Sequence, residues 1–233
     1  MRFAVLIWAV LCFASAGKAQ TGTYSATGDW VYVKIKPTPP PAVIRSFEED
    51  FTDNRNRWRI GQRGAYSYDI SQKGYRVRKM AGADPQTPAF SYIPLPPAIQ
   101  LNKVDTFSVQ VDITGPGGQI PDAGLLLGVR DSLNYCHFRI NNKHQVSIKY
   151  VINGLSYTIY MRGDYVPAGG RLSTTKNTLT VRKTGEQIHF YLNNREVPTS
   201  PYQFRQYQGN GIGFVANTDG TVFRNLTVGI GSE

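Results

Sequence analysis

From about Arg45 to Ile230, apolar and polar residues alternate with a period of two almost without interruption. Phe107, Val109, Val111 and Ile113 are separated by Ser108, Gln110 and Asp112, and Cys136, Phe138 and Ile140 by His137 and Arg139. Val146, Ile148, Tyr150 and Ile152 form a third row, Leu179 and Val181 a fourth, and Ile188, Phe190 and Leu192 a fifth. Successive side chains of a strand point to opposite faces. Each row therefore predicts a strand with one face in a core and the other wet or lining a groove. Turn residues fall between the rows: Gly115-Pro116-Gly117-Gly118, Asn141-Asn142-Lys143, Asn153-Gly154, Lys183-Thr184-Gly185 and Asp219-Gly220. Asn-Gly and Asp-Gly suit the positive φ of tight hairpins. No ten-residue stretch carries a convincing helical period. About a dozen antiparallel strands in roughly 185 residues predict an all-β fold, a sandwich or jelly roll of two packed sheets.

The beginning of the chain is different in kind. Met1-Arg2 supplies a positive end, Phe3 to Phe13 a short apolar run, and Ala14-Ser15-Ala16 a small-x-small cleavage pattern, with Gly17-Lys18-Ala19 as a second choice. That order is the signature of a secretory signal peptide over residues 1–19, so the expected location is secreted or periplasmic. Bulky Leu11 before Cys12 does not suit a lipoprotein signal. Residues 20–44 combine a strand-like alternation at Trp30 to Lys36 with Pro37-Thr38-Pro39-Pro40-Pro41, an extended spacer. The expected domain is then 45–233. Beyond the leader no apolar run approaches the roughly 20 residues of a membrane-spanning helix, so no membrane span is expected.

Composition narrows this further. A chain of 233 residues with 41% hydrophobic and only 18% charged positions can bury a single large core, and it is neither a coiled coil nor a charged disordered chain. Cleavage of the leader removes Cys12 and leaves Cys136 as the lone cysteine. An internal disulfide and a multi-cysteine zinc cluster are both excluded, and the core alone must hold the fold.

Several stretches together resemble the concanavalin A-like lectin/glucanase superfamily of jelly-roll domains. They are Phe47-Glu48-Glu49-Asp50-Phe51-Thr52-Asp53-Asn54 followed by Trp58, Gly124 to Asp131 with Asn134 to Ile140, and the closing runs Asn177 to Val181, Ile188 to Asn194, Gly211 to Phe214 and Phe223 to Val228. Within that superfamily the chain is most similar to laminin G-like domains and the 3-keto-disaccharide hydrolase-like group. The resemblance spans nearly all of residues 45–230, but it rests on framework positions. It implies the fold much more than the function, because function lives in sites placed on folds.

Glucanases of this fold carry Glu-x-Asp-x-x-Glu on one strand, so that alternation aims the acids into a cleft; that pattern is absent here. There is no nucleophile motif, phosphate loop or dinucleotide fingerprint, and Gly209 to Gly213 reads as a turn before a strand. No cofactor is expected. Asp50 and Asp53, with Asn54 and Asn56, are open to two readings: a calcium ligand set, or an Asx-type turn bonding nearby backbone. Arg55, Arg57 and Arg59 alternate, as do Arg76 and Arg78, so two basic strand faces are expected. They suit an acidic glycan or a solvated edge; none of the nucleic-acid-binding motifs accompanies them, so no specific nucleic acid is expected. The expected ligand-binding groove gathers Arg130, Tyr135, His137, Arg139, Lys149, Arg182, His189 and Tyr191 from the non-core faces of the middle strands. Aromatic faces stack on sugar C–H surfaces while Arg and His donate to hydroxyls or carboxylates. The expected role is non-catalytic binding of a carbohydrate or cell-envelope polymer, anionic ones included. The alternatives are a glycoside hydrolase of the 3-keto-disaccharide hydrolase-like group and a protein-interaction or adhesion module.

Overall fold

The alternating rows of the sequence are the strands of two antiparallel sheets. The computed structural model describes residues 22–24, 30–32, 45–82, 84, 87–157 and 159–231. By its contacts the chain divides into two units, Met1–Pro41 and Ala42–Glu233. In the first, β1 (Gly22–Tyr24) and β2 (Trp30–Tyr32) pair antiparallel. The leader and the proline spacer lie outside the described residues.

The strands of the second unit are, in chain order, β3 (Arg45–Glu49), β4 (Gly61–Arg63), β5 (Tyr66–Ser71), β6 (Gly74–Lys79), β7 (Ala89–Pro94), β8 (Thr106–Thr114), β9 (Ala123–Asp131), β10 (Asn134–Ile140), β11 (Gln145–Ile152), β12 (Leu155–Tyr157), β13 (Val166–Pro167), β14 (Asn177–Thr184), β15 (Gln187–Leu192), β16 (Arg195–Glu196), β17 (Tyr202–Gln203), β18 (Gly211–Ala216) and β19 (Thr221–Gly231). Among the described residues, seven form one sheet in the order β12-β11-β10-β9-β18-β7, with β13 added to β11. Ten form the other in the order β16-β15-β14-β8-β19-β6-β5-β4, with β17 added to β15 and β3 to β19. Neighbours such as β9 and β18, or β8 and β19, are far apart in sequence, which is the crossing pattern of a jelly roll.

The inward rows of both sheets meet in one core. Phe107, Val109, Val111, Ile113, Leu179, Val181 and Phe190 come from the ten-stranded sheet, and Leu125, Leu127, Cys136, Phe138, Ile140 and Ile148 from the seven-stranded sheet. Phe214 of β18 joins the two: its ring stacks on Phe223 of β19 at 4.2 Å and on Trp58 at 4.8 Å. Burial of that row, rather than any cross-link, holds the sandwich together.

One expectation is corrected in the segment before β4. Residues 55–60 form no strand, and Arg57 takes a positive φ of 59°. Trp58 is pulled into the core while Ile60 stays exposed, because the Glu49 carboxylate captures the turn. Glu49 Oε1 accepts from the Phe51 N–H, and Oε2 from Asn56 Nδ2 at 2.7 Å and from Trp58 Nε1 at 2.9 Å. A buried carboxylate with three donors outweighs the local alternation of arginines. Arg59 then donates to the Phe90 carbonyl and Arg55 folds back on the turn, so no row of three guanidiniums exists.

Candidate functional site: the outer face of the seven-stranded sheet

A second, smaller apolar cluster lies across the seven-stranded sheet from the core. Leu126 and Val129 of β9 and Val215 of β18 are buried there, with Phe90, Tyr92 and Tyr135 packed half-exposed against them. Register explains the grouping. β18 aligns Gly213 with Tyr92 and with Leu126, and Val215 with Phe90, while β10 aligns His137 with Leu126. Gly213 matters by its size. A Cβ there would lie 2.6 Å from Tyr92 Cβ and 2.3 Å from the Ser91 carbonyl oxygen, so only glycine lets the Tyr92 backbone and side chain come so close.

Beside this floor stands a polar row. Tyr135, His137 and Arg139 follow one another on β10, and β11 sets Lys149 opposite His137 and Ser147 opposite Arg139. The Tyr135 ring lies 5.3 Å from Phe90 and 6.2 Å from His137. Burial pushes the Tyr135 phenol above its usual pKa. His137 Nε2 is 3.1 Å from Ser147 Oγ, and burial, then the charges of Arg139 and Lys149, hold the imidazole well below its ordinary pKa. The cations themselves are matched. Arg139 Nη2 meets Asp122 at 2.6 Å, and Lys149 Nζ meets Asp164 at 3.2 Å and donates to the Gly163 carbonyl. Gly163 and Asp164, between β12 and β13, thus wall one side of the face.

At the other side a hollow of about 400 Å³ opens among Tyr92, Pro94, Pro97, Val129, Arg130 and Asn210. Arg130 is exposed there and pairs with Asp131 at 3.1 Å.

The predicted groove is therefore divided between the sheets. Tyr135, His137, Arg139 and Lys149 share the outer face of the seven-stranded sheet, with Arg130 at its end. Arg182, His189 and Tyr191 belong to β14 and β15 and lie on the outer face of the other sheet. There the Arg182 guanidinium sits 5.1 Å over the Tyr191 ring, and His189 Nδ1 is 2.7 Å from Glu196 Oε1. His137 and His189 do not meet: alternation sets the parity of a side chain within its strand, and the sheet to which the strand belongs is set by long-range pairing.

Asp50 and Asp53 form the turn reading. Asp50 Oδ1 accepts from the Thr52 N–H and hydroxyl, and Asp53 Oδ1 from the Arg55 N–H. The Arg55 guanidinium bridges both carboxylates, at 3.3 and 3.1 Å, where a cation would have to sit. The Thr52 hydrogen bonds hold the Asp50 carboxyl below its usual range. This donor set does not fit a calcium ion. Among the described residues no three His, Cys, Asp or Glu side chains converge as a metal site, and no helix is long and apolar enough to cross a membrane.

Phe90 and Tyr92 escaped the sequence reading. The signal that marks them is a two-residue period of aromatic rings, opposite in parity to Ser91 and Ile93, in a short run ending at Pro94.

No family model matches the chain, and no curated protein matches its sequence. Solved structures do match it. The carbohydrate-binding module CBM66 from Bacillus subtilis superposes with a TM-score of 0.50 at 19% identity, covering 73% of this chain and 94% of the module. A Bacillus subtilis protein of unknown function with a galectin-like fold gives 0.47 at 11% identity, over 79% of this chain and 96% of the other. Sheep galectin-11, in complex with glycerol, gives 0.42 at 12%, over 61% and 97%. The likeness to the first is one of fold: the chain is an antiparallel jelly-roll sandwich of two sheets.

Proposed function

We propose that residues 45–233 form a carbohydrate-binding domain whose ligand lies on the outer face of the seven-stranded sheet. One observation carries the reading: Phe90, Tyr92 and Tyr135 stand half-exposed on a buried apolar floor beside a hydrogen-bonding row and a hollow large enough for sugar rings. Apolar rings flanked by a few fixed donors are what a sugar, with one C–H face and a hydroxyl rim, requires. The likeness in fold to a carbohydrate-binding module supports it.

Charge matching points to the ligand class at this face. Arg139, Lys149 and Arg130 are each matched by an aspartate, so the face favours neutral sugars over acidic ones. The same pairing ties down Asp122, Asp131 and Asp164, which supports binding without hydrolysis. The signal peptide read in residues 1–19 would deliver the domain outside the cytoplasm.

The test is a titration of the purified protein against neutral and acidic polysaccharides, with and without calcium, while assaying for released reducing sugar. Binding of a neutral glycan without hydrolysis is expected, and calcium should not alter it. Tyr92→Ala and Tyr135→Ala should each weaken it about tenfold or more, as loss of a stacked ring costs 1–3 kcal/mol in comparable aromatic contacts. Tyr191→Ala, on the opposite sheet, should leave it unchanged. Binding lost with Tyr191 but kept without Tyr92 and Tyr135 would overturn the assignment of the face.

A further inference from the structure

The outer face of the ten-stranded sheet carries a basic notch that the sugar face does not use. Arg76 and Arg78 share one side of β6, and pairing sets Arg76 opposite Val222 of β19. Arg224, two residues further along β19, points to the same side. It has room there because residue 74 is glycine: a Cβ at Gly74 would lie 2.7 Å from Val222 Cγ1 and 3.2 Å from Arg224 Nε. The turns Gly115-Pro116 and Asp219-Gly220 rise around Arg76, Arg78 and Val222 to enclose a hollow of about 370 Å³.

The guanidiniums are poorly matched. Among the described residues neither Arg76 nor Arg224 forms a salt bridge, although pairing sets Asp69 of β5 opposite Arg76 and Asp112 of β8 opposite Arg224. Asp112 is taken up by Lys176, Thr178 and Asn225, and Arg224 Nη1 donates to Thr114 Oγ1 at 3.2 Å. Arg78 has only Asp69, at 3.9 Å and exposed, which is a weak pair. Asp219 Oδ1 is engaged by the Lys79 N–H at 2.8 Å. On β5, Ser67, Asp69 and Ser71 stand opposite Arg78, Arg76 and Gly74; Ser71 Oγ donates to Asp69 Oδ2 at 2.8 Å, and Ser67 adds a hydroxyl beside the cations.

We infer that this notch binds the acidic substituents, carboxylate or sulfate, of a polysaccharide. Planar guanidiniums hold such groups through paired N–H donors, and neighbouring serine and threonine hydroxyls suit sugar oxygens. The notch is separate from the proposed neutral-sugar face and does not depend on it.

The experiment titrates the intact protein with polygalacturonate and with dextran sulfate, alongside uncharged dextran and inorganic sulfate, at low and physiological salt. Arg76→Gln with Arg224→Gln should weaken polyanion binding at least about a hundredfold, roughly tenfold for each charge-assisted contact removed. The corresponding pair of lysine substitutions, which keeps charge without the fork, should recover only part. Arg171→Gln with Arg205→Gln, the same change in charge at exposed positions outside the notch, should have little effect. Tyr92→Ala should leave polyanion binding intact, so failure here is distinguishable from failure of the sugar face. Equal loss in both arginine pairs would reduce the notch to non-specific attraction and overturn the inference. So would inorganic sulfate competing as well, per sulfate group, as the polymer, or uncharged dextran binding as tightly.

Discussion

His137 is enclosed in the sheet between two cations, with Ser147 as its hydrogen-bond partner, and stays neutral in the fold. In the unfolded chain it titrates near its ordinary value of 6.5. The folded value is depressed, so below pH 6.5 the unfolded state takes up a proton that the folded state refuses. Stability is therefore undiminished above pH 6.5 and falls as pH drops from there towards the folded value, by at most about 1.4 kcal/mol per pH unit. Thermal unfolding of the protein should show this slope between about pH 6.5 and 5. His137→Gln keeps a polar partner for Ser147 and should flatten the profile in that window. An unchanged slope would mean that His137 is protonated in the fold. The same residue shows where sequence reading stops. Its polarity marked it as a binding candidate, but it is nearly fully buried where β11 sets Lys149 opposite it and brings Ser147 within hydrogen-bond distance, a partner strand that its own alternation does not reveal.

Among the elements, strand existence was legible and strand partnership was not. The rows at Phe107 to Ile113, Cys136 to Ile140 and Val146 to Ile152 emerge as β8, β10 and β11 because one buried face forces a period of two. β9 was harder: Leu125, Leu126 and Leu127 are all fully buried, since both faces of that strand are covered, so its apolar run carries no parity. The turn after β3 misled for another reason. Arg55, Arg57 and Arg59 alternate, but the segment is organised by Glu49, whose carboxylate gathers the Phe51, Asn56 and Trp58 donors. Glu49→Ala should leave those donors unpartnered and cost about 3 kcal/mol or more, read from chemical denaturation. Glu49→Gln keeps one acceptor oxygen but turns an amide towards the remaining donors, and should cost a smaller part of that. A loss below about 1 kcal/mol for the alanine variant would show that the turn is held by packing of Trp58 alone.

Across the whole molecule, the two outer faces have different chemistry because the sheets have different neighbours. The seven-stranded sheet pairs each of its outward cations with an aspartate and leaves aromatic rings open, whereas on the ten-stranded sheet Arg76 and Arg224 form no salt bridge with the aspartates set opposite them. Both faces depend on the one core between them, and the contact that joins them is aromatic. Phe214 is 1% exposed and touches Phe223 from the opposite sheet, Trp58 from the β3 turn, and the rings of Phe51 and Tyr75. Among the described residues no disulfide supports it, as Cys136 is free and buried. Phe214→Ala removes a ring that both sheets share and should cost about 3–5 kcal/mol, the range for truncating a buried aromatic. Loss of that joint should lower the stability of both sheets together. Far-UV circular dichroism and tryptophan fluorescence should then shift to the same lower midpoint, while Phe214→Leu, which keeps most of the volume, should cost less. Two separated transitions in the alanine variant would show that the sheets hold themselves up independently, and that the faces they carry are coupled only by the chain.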